Sequence, residues 1–287
     1  MGLKMMNCKL AIDAGGTFFK NAVYSEDNKL ISEIVRTPVD FNAGKEEVLS
    51  VYKKIYSDFS SKYKISKVAI STPGTFDYKR GVSLMQHKFS SIYGVSIKET
   101  NVFPKDCTVS FCSDSNAFLR GELAVNLDLQ DATALAFTLG TGLGFSAAKQ
   151  GKILKNEKGG PIEEIWNLPY NDKIAEAYLS GRGVVALYEE LGGVANLTSK
   201  EIAERVEYDE KAQVALFKFG EILFEIAAPL MARYQADYLV LGGQVSKSFP
   251  LFKSGIEAKQ GTKAGMIMPA KDIENSALLG AVLEMES

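Results

Sequence analysis

Asp13-Ala14-Gly15-Gly16-Thr17 is the stretch on which the reading of this chain turns. The apolar run Leu10-Ala11-Ile12 enters it, Asn21-Ala22-Val23-Tyr24 leaves it, and Asn28 marks the next turn. The pattern predicts strand, glycine turn, strand. Gly15 and Gly16 carry no Cβ, so backbone N–H groups can approach an anion closely and φ > 0 is admitted. Thr17 adds a hydroxyl donor, Lys20 a cation, and Asp13 a carboxylate suited to hydrated Mg²⁺. No Gly-Lys-Ser/Thr ending follows and no helix opens, which argues against a P-loop. Taken alone, the turn is equally an ordinary tight hairpin.

A second stretch changes that balance. Ala134 to Leu139 runs into Gly140-Thr141-Gly142-Leu143-Gly144, and Phe145 to Ala148 leaves it. The spelling is near a dinucleotide fingerprint, but that fingerprint requires a helix next, and another turn arrives at Gln150-Gly151 instead. Two glycine hairpins in two halves predict a duplicated α/β fold gripping one phosphate chain.

Composition bounds the alternatives. The 287 residues are 46% hydrophobic, which allows a sizeable core in one large domain or two and excludes a disordered chain. A net charge of −2 gives no electrostatic footprint for nucleic acid. No apolar run reaches membrane-span length, and the residues before Lys9 are too weakly apolar for a secretory signal. Cys8, Cys107 and Cys112 are odd in number and lack metal spacing, which fits reduced thiols in a cytoplasm. His87 is the only histidine, so histidine-centred metal sites and Ser–His–Asp triads are nearly excluded.

In chain order, Leu10–Tyr24 and Leu30–Thr37 predict three antiparallel strands. Residues 46–60 have apolar side chains at helical spacing, and Lys67 to Ser71 reads as a buried strand ending at Thr72-Pro73-Gly74. Val109–Cys112 ends on Ser113-Asp114-Ser115-Asn116, before a helix over 117–125 in which Glu122 suits the helix dipole. The second half predicts a helix over 172–190 interrupted at Gly181–Gly183, then helices over 199–206 and 209–234, the latter kinked at Pro229. A buried strand, Tyr238–Leu241, ends on Gly242-Gly243-Gln244. A short strand at 266–269 and a closing helix over 276–285 follow. Ligands of open α/β sheets lie beyond the carboxyl ends of strands. Phosphoryl transfer needs positioning, charge neutralisation and a group that takes the acceptor's proton. Asp114 can be that base, or a helix N-cap. Gly242-Gly243 can receive a flat adenine ring, or simply turn the chain.

Taken together, Asp13–Thr17, Asp114-Ser115-Asn116-Ala117 with Gly121-Glu122, Leu139–Gly144 and Leu241–Ser246 resemble the ROK family. Thr72-Pro73-Gly74-Thr75-Phe76-Asp77 with Gly81, and Ser276–Ala281, resemble its Pro-Gly segment and its closing helix. The resemblance spans nearly the whole chain in the family's order. It implies an actin-like, ribonuclease-H-fold phosphotransferase with two βββαβαβα-type halves, one lobe over 1–116 and 272–287, the other over 117–271, with a cleft between them. It further implies an ATP- and Mg²⁺-dependent sugar kinase acting on a hexose, N-acetylhexosamine or β-glucoside, most often at O6, with Asp114 as base. A homodimer is compatible with it.

The family usually carries Gly-Glu-Ile-Gly-His before a cysteine-rich zinc loop. Here Glu163-Glu164-Ile165-Trp166-Asn167 aligns there, so Glu164 keeps the sugar-binding carboxylate and Asn167 replaces the histidine. Residues 168–173 contain no cysteine, and no zinc site is expected. Glu176 matches a second sugar-contacting glutamate, and Ser113 stands where asparagine is usual; Gly74 joins them as a sugar-contact candidate. The phosphate contacts implied are Gly15, Gly16, Thr17, Lys20, Gly140, Thr141, Gly142, Gly242 and Gly243, with Asp13 reaching Mg²⁺ through water. Surface charge is the alternative for Glu164 and Glu176. A catalytically silent sugar or nucleotide sensor is the alternative for the whole chain.

Overall fold

The computed structural model describes residues 6–86, 88–260 and 265–286, so His87 lies outside the described residues. The first part of the chain runs β1 (Asn7–Ala14), β2 (Phe18–Ser25), β3 (Val35–Pro38), α1 (Lys45–Ser60), β4 (Lys64–Thr72), the hairpin β5–β6 (Phe76–Asp77 and Val82–Ser83), β7 (Thr108–Ser113) and α2 (Asp114–Val125). There follow β8 (Thr133–Leu139), β9 (Leu143–Lys149), β10 (Lys152–Ile153), β11 (Pro169–Tyr170), β12 (Lys173–Ile174), α3 (Ala175–Tyr178), α4 (Gly181–Glu190), α5 (Ser199–Glu204) and α6 (Glu210–Tyr234). The run closes with β13 (Tyr238–Gly242), α7 (Phe249–Gln260), β14 (Met266–Pro269) and α8 (Ser276–Glu284). No described helix is long and apolar enough to cross a membrane.

Two compact units result. One holds residues 1–125, 155–162 and 274–287, the other residues 126–154 and 163–273. Each has a five-stranded sheet with the same plan: β3-β2-β1-β4-β7 in the first, β10-β9-β8-β13-β14 in the second. In both, three antiparallel strands are extended by two parallel ones. The predicted duplication is thus present strand for strand.

The first unit reaches past the expected boundary at residue 116 to include all of α2, because α2 and α8 touch backbone to backbone. A Cβ on Gly121 would lie 2.0 Å from the Ser276 carbonyl oxygen, and one on Gly280 would lie 1.7 Å from that of Ala117. Glu122 is therefore not at the helix start. It is buried in mid-helix and accepts the Ser276 hydroxyl at 2.6 Å, while Asp114 occupies the first turn. The alternation of β1 explains the layering. Leu10 and Ile12 face a cluster with Val48, Tyr52 and Ile55 of α1, whereas Ala11 faces Ala69, Ala117, Leu278 and Ala281. The small residues lie on the side where α2 and α8 come close. Lys9, fully buried, points its ammonium at the Glu26 carbonyl at 3.0 Å, at Asn28 Oδ1 at 2.7 Å and at the Glu286 carboxylate.

The second unit departs from the expectation at two places, before Gly181 and after β13. The helix expected from residue 172 is replaced by the β11–β12 hairpin and the short α3; α4 then begins at Gly181, with the Ser180 hydroxyl accepting the Gly183 N–H. Gly181 and Gly183 therefore belong to a helix start, and a Cβ on Gly183 would strike the Tyr178 carbonyl at 1.9 Å. α6 continues through Pro229 as one helix and ends with Gln235 at φ 52°. α7 was not expected. Its Pro250 sits in the first turn, where the missing N–H would be unbonded anyway, and its Gly255 meets the Phe217 carbonyl, 2.0 Å from a built Cβ.

Candidate active site

In the first unit, strand register gathers the polar residues. Asp13 lies opposite Ser71 across β1–β4, and Ser71 and Thr72 lie opposite Cys112 and Ser113 across β4–β7. These are the carboxyl ends of three parallel neighbours, where the α/β rule places chemistry. Ser71, fully buried, donates to Asp13 Oδ1 at 2.9 Å, and Lys20 stands 3.1 Å from Oδ2. Lys20 also donates to the Glu274 carbonyl at 3.3 Å. The carboxylate of Asp13 is thus oriented through both oxygens, and the Lys20 charge is engaged there.

Asp114 opens α2 at the end of β7. Its Oδ1 accepts the Ser115 N–H at 2.7 Å and lies 3.5 Å from the Ser113 hydroxyl, which pairs with Ser115 Oγ at 2.9 Å. Burial, with the nearby Asp13 charge as a second cause, pushes the Asp114 pKa up to about 6, against the opposing pull of the Ser115 N–H, Lys88 and the Ser113 hydroxyl. The capping contact and the perturbed carboxyl coexist in one side chain. At neutral pH such a group is mostly ionised and still able to hold a proton, the condition for a general base.

The glycine turn Gly15–Gly16 is tight rather than left-handed: neither residue has positive φ, and a Cβ on Gly15 would lie 2.8 Å from the Phe18 carbonyl oxygen. Thr17 is exposed beside it. Gly74 is exposed just beyond β4, 3.5 Å from the Tyr78 hydroxyl measured from a built Cβ.

In the second unit, Gly140 and Thr141 line a cavity of about 490 Å³ with apolar Val185 and Ala186 of α4. Gly181 N–H donates to the Gly140 carbonyl at 2.8 Å, so the start of α4 is fastened to the glycine turn. Thr198 and Ser199 form another wall. Gly242 and Gly243 do not line the cavity; Gln244 and Val245 do. Gly242 is buried in β13 opposite Thr138. Gly243 has φ +81°, and a Cβ there would lie 2.3 Å from the Leu139 carbonyl oxygen, so its glycine is required by packing and turn geometry. Gly142 faces Glu176 rather than the cavity.

Backbone pairing brings the proposed sugar contacts of this unit into one neighbourhood. Glu176 N–H donates to the Trp166 carbonyl at 3.0 Å, and Ala175 N–H to that of Leu168 at 2.8 Å. Glu164 is exposed and accepts the Trp166 indole N–H at 2.9 Å; Asn167 is exposed beside them. Glu176 accepts the Leu143 N–H at 3.1 Å and faces Arg182 at 3.2 Å.

Mg²⁺ needs few protein ligands when phosphates supply the rest. Asp13, with both oxygens already directed by Ser71 and Lys20, fits a contact through water. Among the described residues no group of three or more His, Cys, Asp or Glu side chains could hold a metal ion. The cavity residues of α4, of α5 and of its cap, Arg182, Ser199 and Thr198 among them, escaped the sequence reading. Only Thr198 carried a legible signal, the Thr-x-x-Glu capping box it forms with Glu201.

A sequence model described as the ROK family matches residues 9–165 and 169–285. The glucokinase of Thermotoga maritima is 27% identical over 150 residues, 52% of this chain and 47% of that protein, so the match spans about half of its length. The N-acetyl-D-glucosamine kinase of Haemophilus influenzae is 25% identical over 275 residues, covering 85% of this chain and 86% of the other. Among solved structures, a ROK family glucokinase from Streptomyces griseus in complex with glucose and AMPPNP shares the fold at a TM-score of 0.80 and 18% identity, over 96% of this chain and 97% of that one.

Proposed function

The chain belongs to the ROK family, and we propose that it is an ATP-dependent carbohydrate kinase in which Asp114 takes the proton of the acceptor hydroxyl. The observation that carries this reading is the carboxyl of Asp114, raised to about 6 at a strand end beside Asp13. Such a base stays ionised at neutral pH yet accepts a proton as the hydroxyl attacks the γ-phosphate. Gly15, Gly16 and Thr17 contact phosphate oxygens, and Ser71 and Lys20 keep Asp13 aimed. Mg²⁺, when bound, neutralises phosphate charge, and Asp13 reaches it through water.

In the second unit, Gly140 and Thr141 receive phosphates and the adjoining cavity takes the nucleoside. Glu164, Asn167 and Glu176 are the sugar-contact residues read for this unit; Ser113 and Asp114 are those read for the first. The acceptor is a hexose, an N-acetylhexosamine or a β-glucoside, phosphorylated at O6. The glucokinase and N-acetyl-D-glucosamine kinase relatives support the first two classes. A coupled ADP-release assay over hexoses, amino sugars, N-acetyl sugars and β-glucosides tests the reading. Turnover with at least one sugar is expected; sugar binding without ADP release across the panel would make the protein a sensor.

A further inference from the structure

An internal anion meets the glycine turn at Gly140–Gly144. Leu143 N–H donates to Glu176 Oε2 at 3.1 Å, and a Cβ on Gly142 would lie 2.6 Å from that oxygen, so the carboxylate lies flush against the turn. Its other oxygen faces the Arg182 guanidinium at 3.2 Å. The same guanidinium nitrogen donates to the Thr141 carbonyl at 3.3 Å. Arg182 is otherwise 75% exposed and stands in the wall of the cavity that Gly140 and Thr141 also line. A turn N–H and an arginine fork are the donors a phosphate seeks. Here one carboxylate occupies the turn N–H with one oxygen and a single nitrogen of the guanidinium, Nη2, with the other.

We infer that Arg182 is a further nucleotide-contacting residue, and that Glu176 stands in for a phosphate at this turn until sugar draws it away. The inference rests on the reading of Glu176 as a sugar contact. The physical logic is an exchange of partners. The Glu176 carboxylate beside the turn stands where an incoming phosphate would come and engages one nitrogen of the guanidinium that would bind it. Sugar hydroxyls offer Glu176 other donors, which frees Leu143 N–H and Arg182 together. The pair is exposed on the Arg182 side and weak for that reason, so the exchange meets little resistance. Sugar and nucleotide are then linked, each tightening the other by the same factor. Arg182 acts on the nucleotide directly, and Glu176 sets when it can.

Calorimetry of ADP with Mg²⁺ tests this on the full chain, with and without saturating D-glucose or N-acetyl-D-glucosamine as probe. Without sugar, Glu176→Gln should bind ADP about fivefold or more tightly than the wild type. Arg182→Ala should bind it several-fold more weakly, with Arg182→Lys partly restoring affinity. In the wild type, whichever probe supports ADP release should tighten ADP binding by a similar factor, and Glu176→Gln should show no such gain. Unchanged or weaker sugar-free ADP binding by a folded Glu176→Gln would overturn the inference. If its thermal melt shows that this variant is unfolded, Arg182→Ala decides alone, and unaltered ADP affinity there overturns it. Failure of the kinase reading looks different, because the wild type would then release no ADP with any sugar.

Discussion

Asp114→Asn should make the protein more stable while nearly abolishing its activity. The carboxyl titrates at about 6 in the folded chain because burial disfavours its charged form. Between pH 4 and 6 the folded state therefore holds more protons than the unfolded one, and stability falls as pH rises through that window. Above pH 6 the penalty is complete. A rise of about two pKa units corresponds to about 3 kcal/mol, at 1.36 kcal/mol per unit. The Asn oxygen can still accept the Ser115 N–H, so the variant should gain on the order of 1–3 kcal/mol at pH 7.5. The gain should shrink toward zero near pH 4, where both side chains are neutral. Turnover should drop by ~10²–10⁴, the usual worth of a general base, with sugar and nucleotide affinities nearly unchanged. Urea denaturation of both proteins at pH 7.5 and 4.5, beside ADP-release kinetics, measures all of this. A variant no more stable at pH 7.5 than the wild type would refute the burial penalty, and wild-type turnover would reduce Asp114 to a cap.

Gly280→Ala should destabilise the first unit by several kcal/mol, because its Cβ would sit 1.7 Å from the Ala117 carbonyl oxygen and force α2 and α8 apart; thermal melts read the loss. Glu286→Gln should cost on the order of 1–3 kcal/mol, since it leaves the buried Lys9 ammonium without its carboxylate while Glu286 itself stays partly exposed. Lys9 holds the Glu286 carboxyl below its usual range, so this contribution is full at neutral pH and fades in acid as the lowered pKa is crossed; urea midpoints of variant and wild type should converge there. Chelation should leave the fold intact and stop ADP release until Mg²⁺ is returned, and stoichiometric zinc in the purified protein would contradict the missing cysteine loop.

The sheets were legible because their signals are local. Apolar runs entering Gly15 and Gly140, and the run at Tyr238–Leu241, carry the period and the punctuation of strands. Asp13 and Asp114 were legible for the same reason, each ending such a run. What escaped depends on a partner distant in sequence. Glu122 reads as a helix-start charge until Ser276 is seen against it, and Gly121 and Gly280 explain each other only as a pair. Gly181 and Gly183 read as breakers because nothing nearby shows that one opens a helix against Gly140 and the other lies on the Tyr178 carbonyl. Gly242-Gly243 read as a ring-binding surface, yet Gly243 is filled from behind by Leu139, and the cavity falls to Gln244 and Val245. The wall supplied by α4 and α5 has no motif beyond the Thr198 capping box, which marks a helix start and not a ligand; it is a product of how those helices lie.

The contact between α2 and α8 also imposes an order on biosynthesis. Ala11, Ala22 and Ala69 emerge early from the ribosome, but the face they share is closed by Leu278, Ala281 and Val282. Until residue 284 has cleared the exit tunnel, a nascent first unit can pair its strands and dock α1, yet α2 has no glycine-bearing neighbour to seat against. The second unit needs nothing beyond residue 273. During synthesis, the half that is translated first is thus the half completed last, its alanine-lined sheet face waiting for α8.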